Sequence, residues 1–169
     1  MRPAARQALT WLLFAILIGP VSGADLKVTR AQDLAADAAT AREQGLALLV
    51  AVTREGCPYC RLLLRDYLGP MSHSGEYAEQ ILIRELMIEP AMPVADFNGK
   101  QVSSGDVARR YDVGITPTVL LLDSRGELLH EPLVGINTPE MYGYYLDQAI
   151  QSGRLKLAAG RSAGTREDN

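Results

Sequence analysis

The apolar run LALLVAVT, Leu46 to Thr53, leads through a short connection into Cys57-Pro58-Tyr59-Cys60, which holds the only two cysteines of the chain. A continuous apolar run of strand length suits a strand buried on both faces, in the middle of a sheet. The next apolar set, Leu62, Leu63, Leu64, Tyr67 and Leu68, has helical spacing and stops at Gly69-Pro70, a terminator signal. Pro58 suits the first turn of that helix, where its missing N–H needs no partner. Cys57 is therefore expected at the helix N-terminal edge, beside unpaired N–H groups and the positive end of the macrodipole.

At that position a thiolate is favoured over a thiol, so Cys57 is the candidate attacking nucleophile. Cys60, one turn on, comes round on the same helix face and can attack a mixed disulfide formed at Cys57, the resolving role. Arg54 and Arg61 favour the thiolate, and Glu55 opposes them. Two other uses of the pair compete with this one. Structural zinc wants four ligands, and His73 and His130 are not spaced as partners of the pair. Met71, Met87, Met92 and His73 could offer softer ligands, but scattered methionines more often fill core gaps. No metal and no cofactor is expected. A staple is the third use, and a bridge across two residues closes a loop too small to stabilise a fold much.

The remaining elements point to one α/β domain. Thr29 to Gln32 has capping-box spacing before an Ala-rich helix from Ala31 to Gln44, which ends at Gly45. ILIRELMI, Ile81 to Ile88, reads as a strand parallel to the first. Asn98-Gly99 marks a turn, and Ser103 with Asp106 opens a short helix to Tyr111. TVLLL, Thr118 to Leu122, is a buried strand, and Asp123 to Gly126 turns the chain into ELLHEPLV. Pro132 confines that last strand to an edge or ends it. Thr138 and Pro139 open a final helix to about Gln151. Two βα units, a hairpin and a closing helix make a mixed sheet covered on both faces.

The first residues set the expected compartment. Arg2 and Arg6 precede the apolar run Thr10 to Ile18, then Pro20 and the small residues Ser22-Gly23-Ala24. This order predicts a signal peptide over 1–24, cleaved after Ala24 or one residue earlier. The run is about half of the roughly 20 apolar residues that a spanning helix needs, so no stable membrane insertion is expected after cleavage. The chain has 17 basic and 20 acidic residues, and losing Arg2 and Arg6 leaves 15 against 20, near −5. An acidic surface gives no reason to expect a nucleic-acid partner. The domain is expected over 25–152, followed by a small, polar, flexible tail over 153–169.

Two separated motifs, Gly56-Cys57-Pro58-Tyr59-Cys60 after a buried strand and Gly114-Ile115-Thr116-Pro117-Thr118 before another, resemble the thioredoxin superfamily. The resemblance implies a thioredoxin fold, a mixed central sheet flanked by helices on both faces. It implies that Pro117 is cis and faces the cysteines, that the backbone of Thr116 pairs with substrate, and that Gly135 lines the same groove. Pro58 and Tyr59 complete the substrate-binding set, with Tyr59 shaping the surface between the sulfurs. VADFNGK, Val94 to Lys100, with DVARRYDVGITPT, Asp106 to Thr118, is similar to exported SoxW-type thioredoxins. That likeness implies a periplasmic reductase of protein disulfides, supplied by a membrane thiol electron donor. Three departures stand out: Pro-Tyr between the cysteines as in glutaredoxins, Gly56 where a tryptophan is usual, and Ala51 where thioredoxin has a buried acid. A thiol oxidase or isomerase, a non-catalytic peptide-binding module and a glutathione-dependent enzyme are the alternatives. Tyr142, Tyr144 and Tyr145 are expected to serve packing.

Overall fold

The computed structural model describes residues 27–88 and 92–167, the side chains of 163–167 excepted. The expected signal peptide lies outside the described residues. No helix among the described residues is long and apolar enough to cross a membrane.

Strand β1, Ala47–Thr53, is buried at every position, as its unbroken apolar run requires. β2, Ile81–Met87, pairs parallel to it, and β5, Thr118–Leu122, pairs antiparallel on its other side. The short β6, Leu133–Val134, closes the edge antiparallel to β5, giving the order β2-β1-β5-β6. Alternate residues of a strand point to opposite faces. Ala47, Leu49 and Ala51 therefore enter one core, with Ile83, Leu63, Leu68, Tyr142 and Leu146. Leu48, Val50 and Val52 enter a second core, with Leu34, Ala41, Val107 and Ala108. The first core lies under the cysteine helix and the C-terminal helix α6, Pro139–Glu167. The second lies under α1, Leu34–Gln44, and α5, Ser104–Arg110. This is the thioredoxin fold, a mixed four-stranded sheet with helices on both faces. α5 carries the expected capping box of Ser103 with Asp106.

Three elements depart from their local signals. α1 begins at Leu34 with Asp33 as its cap, not at Ala31. The backbone of residues 29–32 is taken elsewhere: Ala31 N–H donates to Glu85 O (2.8 Å), Glu85 N–H to Thr29 O (2.9 Å) and Ala95 N–H to Gln32 O (3.0 Å). The cysteine helix does not stop at Gly69-Pro70. It runs from α2, Pro58–Leu62, through a π-helical stretch, Leu63–Leu68, into α3, Gly69–His73. Gly69 N–H bonds Leu64 O, five residues back, and the widened turn carries Pro70 into a position that needs no N–H.

α6 also outruns its expected end near Gln151, and residues 153–161, expected as a flexible tail, are helical, with Gly153 buried and Leu157 half-buried. A Cβ at Gly153 would overlap the Leu121 side chain, so this glycine permits a close approach of helix to sheet. Lys156 Nζ donates to Leu128 O (2.8 Å), Leu157 packs on the first core, and Arg161 Nη1 donates to Gly45 O (3.0 Å). Between β2 and α5, the hairpin of β3, Pro93–Ala95, and β4, Gln101–Ser103, turns at Asn98-Gly99. Asp96 Oδ1 holds that turn by accepting the N–H groups of Asn98 (2.9 Å) and Lys100 (3.0 Å). Among the described residues, the chain between the last helix of the crossover, α4, Gly75–Ala78, and α5 is thus one strand and one small hairpin.

Candidate active site

Cys57 is the cap of α2, with extended backbone (φ −81°, ψ 112°), and Pro58 follows in the first turn. Gly56 ahead of it takes φ 71°, the left-handed region that glycine enters freely, which lets the chain turn from β1 into the helix. The Cys60 N–H donates to Cys57 Sγ (3.1 Å), and Arg61 N–H to Cys57 O (3.2 Å). One orphan donor of the helix start, the Cys60 N–H, thus points at the sulfur, while Arg61 N–H makes the first regular bond of the helix. Cys57 and Cys60 form a disulfide with Cα atoms 5.2 Å apart. The two sulfurs are not equivalent. Cys57 keeps 7% of its surface and Cys60 only 2%, so an incoming group meets Cys57 first.

The Thr116-Pro117 bond is cis, as the resemblance implied. Thr116 O lies 3.7 Å from Cys57 Sγ and Thr116 Oγ1 3.9 Å, although 59 residues separate them. Pro117 is buried, and its carbonyl accepts the N–H of Gly135 (2.8 Å), which itself takes φ 69°. One backbone bond therefore joins the loop after β6 to the loop beside the sulfurs. Pro58 and Tyr59 are exposed, Tyr59 at 56%. The structure thus gathers Cys57, Cys60, Thr116, Pro117 and Gly135 and leaves Tyr59 open beside them.

Ile115, 60% exposed, and Val134, 46% exposed, were not singled out from the sequence. Together with Tyr59 they give the site an apolar, accessible margin. A large apolar residue directly before Thr-Pro was the available signal for Ile115. Arg54, Glu55 and Arg61 are all exposed, so water screens their opposing effects on the sulfurs.

Ala51 is fully buried and stands level with Glu85 across the β1–β2 ladder. Glu85 is the buried acid of this region: Thr53 Oγ1 donates to its Oε1 (2.7 Å), and Arg30 Nε approaches its Oε2 at 3.6 Å. The alternation Ile81, Ile83, Glu85 put this carboxylate on the face toward the cysteine helix and could have flagged it. Tyr142 is buried, with its ring edge-on to Tyr67 at 5.2 Å, and burial pushes its phenol well above the usual tyrosine range. Tyr144 and Tyr145, expected to pack, are instead exposed and lie against each other with centroids 5.9 Å apart. Among the described residues no cluster of three or more His, Cys, Asp or Glu side chains is arranged to hold a metal.

A family described as a thioredoxin-like domain matches residues 34–150. No protein of curated function matches the chain in sequence. Among solved structures, oxidised mitochondrial thioredoxin 3 of Saccharomyces cerevisiae is similar at 17% identity, covering 73% of this chain and 93% of its own, with a TM-score of 0.48. A thioredoxin-fold protein of Helicobacter pylori is similar at 23% identity, covering 72% and 86%, with a TM-score of 0.44. Thioredoxin NaTrxh of Nicotiana alata is similar at 18% identity, covering 72% and 94%, with a TM-score of 0.44.

Proposed function

The chain belongs to the thioredoxin-like domain family, and on that premise we propose that it is an exported thiol–disulfide oxidoreductase that reduces protein disulfides. The observation that carries this reading is a Cys57–Cys60 pair at a helix start, with Thr116 O 3.7 Å from Cys57 Sγ. In the reduced protein the Cys57 thiolate attacks one sulfur of a substrate disulfide. A Cys57–substrate disulfide forms, and the first substrate thiolate leaves and takes a proton. Cys60 then gives up its proton, and its thiolate attacks Cys57 Sγ. The intramolecular disulfide closes and the second substrate thiolate leaves, so two electrons have passed to the substrate. Burial of Cys60 keeps it from competing for substrate, and its position one turn on keeps it in reach of Cys57.

The fold does not set the direction of exchange. Potentials in such proteins run from about −270 mV for thioredoxin to about −120 mV for DsbA. The SoxW-like segments support reduction in the periplasm, with reducing equivalents from a membrane thiol donor. The short segment between β2 and β5, among its described residues one hairpin and one helix, is unlike an oxidase with a large inserted helical domain. The test is the potential of the pair in the mature protein, equilibrated against a defined thiol buffer. A value at or below about −200 mV is expected, and one near −120 mV would make the protein an oxidase or isomerase. Cys57→Ser should abolish turnover, whereas Cys60→Ser should accumulate a mixed disulfide at Cys57, seen as an added substrate mass. A pair that exchanges with no thiol buffer would leave only the peptide-binding reading.

A further inference from the structure

We propose that the cavity beside Ile115 is a specificity pocket that takes an apolar side chain of the substrate, with a lysine or arginine next to it. This rests on the reading of the site as a reductase of protein disulfides and adds which disulfides it prefers. The cavity has a volume of about 610 Å³ and lies between the loop Tyr111 to Ile115 and the chain from Leu128 to Val134. That is the size range of pockets which bury a small ligand.

Its position ties it to the disulfide. Ile115 forms one wall and is followed directly by Thr116, whose carbonyl faces Cys57. Val134 forms another and is followed by Gly135, whose N–H holds Pro117 O. An extended substrate passing Thr116 sends alternate side chains to opposite sides, so one set faces Tyr59 and the other faces this cavity.

Its chemistry is two-sided. Val113, Leu128 and Pro132 make an apolar interior, while the charged groups on its margin are Asp112 and Glu131. Both are exposed, and among the described residues no side-chain hydrogen bond or ion pair engages either carboxylate. Among the described residues no basic one lines the cavity. The carboxylates of the nearby turns are already engaged, Asp96 by Arg110 and Asp123 by Arg125. Two unengaged carboxylates beside an apolar hollow favour a substrate cation and oppose an anion.

The test compares the pre-reduced mature protein acting on disulfide-linked peptide homodimers with its action on bis(2-hydroxyethyl) disulfide. In the peptides a Leu-Lys, Leu-Glu or Ser-Lys pair is moved stepwise along the residues flanking the cysteine. At the best register, the second-order rate constant for Leu-Lys should exceed that for Leu-Glu by about fivefold, the scale of one or two exposed ion pairs. The double variant D112N/E131Q should reduce that preference to less than about twofold, as should raised salt. Its rate on the small disulfide should not change. Gly114→Leu, whose new side chain enters open space at the cavity, should remove the preference for Leu-Lys over Ser-Lys. Reduction of the small disulfide with no charge or size preference at any register would overturn the pocket while leaving the oxidoreductase reading intact. If the small disulfide is not reduced either, that reading fails and the pocket fails with it.

Discussion

Thr53 and Glu85 show what a single residue can conceal in a sequence. Thr53 ends a strand and Glu85 interrupts an apolar one, and neither signals that the hydroxyl will donate to the carboxylate at 2.7 Å across 32 residues. Both side chains are buried, so removing the acceptor leaves a hydroxyl without water or partner. Glu85→Ala should lower unfolding free energy in urea by about 1–3 kcal/mol; a change within the error of the titration would show that water replaces the carboxylate. Asp96 offers a pH-dependent case. Its carboxyl is held below the ordinary aspartate value of 3.8, chiefly by the hydrogen bond from Arg110 and then by the N–H groups of Lys100 and Asn98. A folded pKa below the unfolded one adds stability above the unfolded value, and that stability is lost as pH falls through the folded value. Asp96→Asn should therefore flatten the acid limb of a stability–pH curve below about pH 4. An unchanged acid limb would mean that Arg110 does not hold the charge in solution. Cys57 is the opposite kind of residue: the proline after it and the strand before it place it at a helix start from local sequence alone.

Two helices ran through signals that locally mean stop. Gly69-Pro70 failed to end the cysteine helix because a π turn brought the proline to a position without a required donor. Gly153 failed to end α6 because the missing Cβ lets the helix lie close to Leu121. Glycine in a helix interior is disfavoured by about 1 kcal/mol relative to alanine, so its presence here needs a packing reason. Gly153→Ala tests that reason. Overpacking against Leu121 should cost about 1–3 kcal/mol and exceed the helix-propensity gain of about 1 kcal/mol. The expected result is a lower Tm in thermal unfolding; a higher Tm would show that Leu121 swings aside freely. The start of α1 failed for a related reason. Residues 29–32 have helix-cap chemistry, but their backbone groups found partners on Glu85 and Ala95, and Asp33 took the cap instead.

At the scale of the molecule, the sheet order β2-β1-β5-β6 puts the most apolar strand between two neighbours and the proline-led strand at the edge. That much followed from the sequence, because it depends on apolar periodicity and on a residue that cannot donate to a ladder. The same order brings the end of β1 and the start of β5 side by side, and with them Cys57 and Thr116. The sequence by itself determined β1 and β5, the capped start of the cysteine helix and the placement of Cys57 at that start with Cys60 one turn on. Each of these is written within about one turn or one strand of chain, where backbone sterics and local hydrogen bonding decide the outcome. The tertiary structure alone decided the Thr53–Glu85 pair, the exposed margin of Ile115 and Val134, the cavity beside them and the far half of α6. Those depend on which distant surfaces meet, and each contact is too weak to impose a local pattern on the residues that make it.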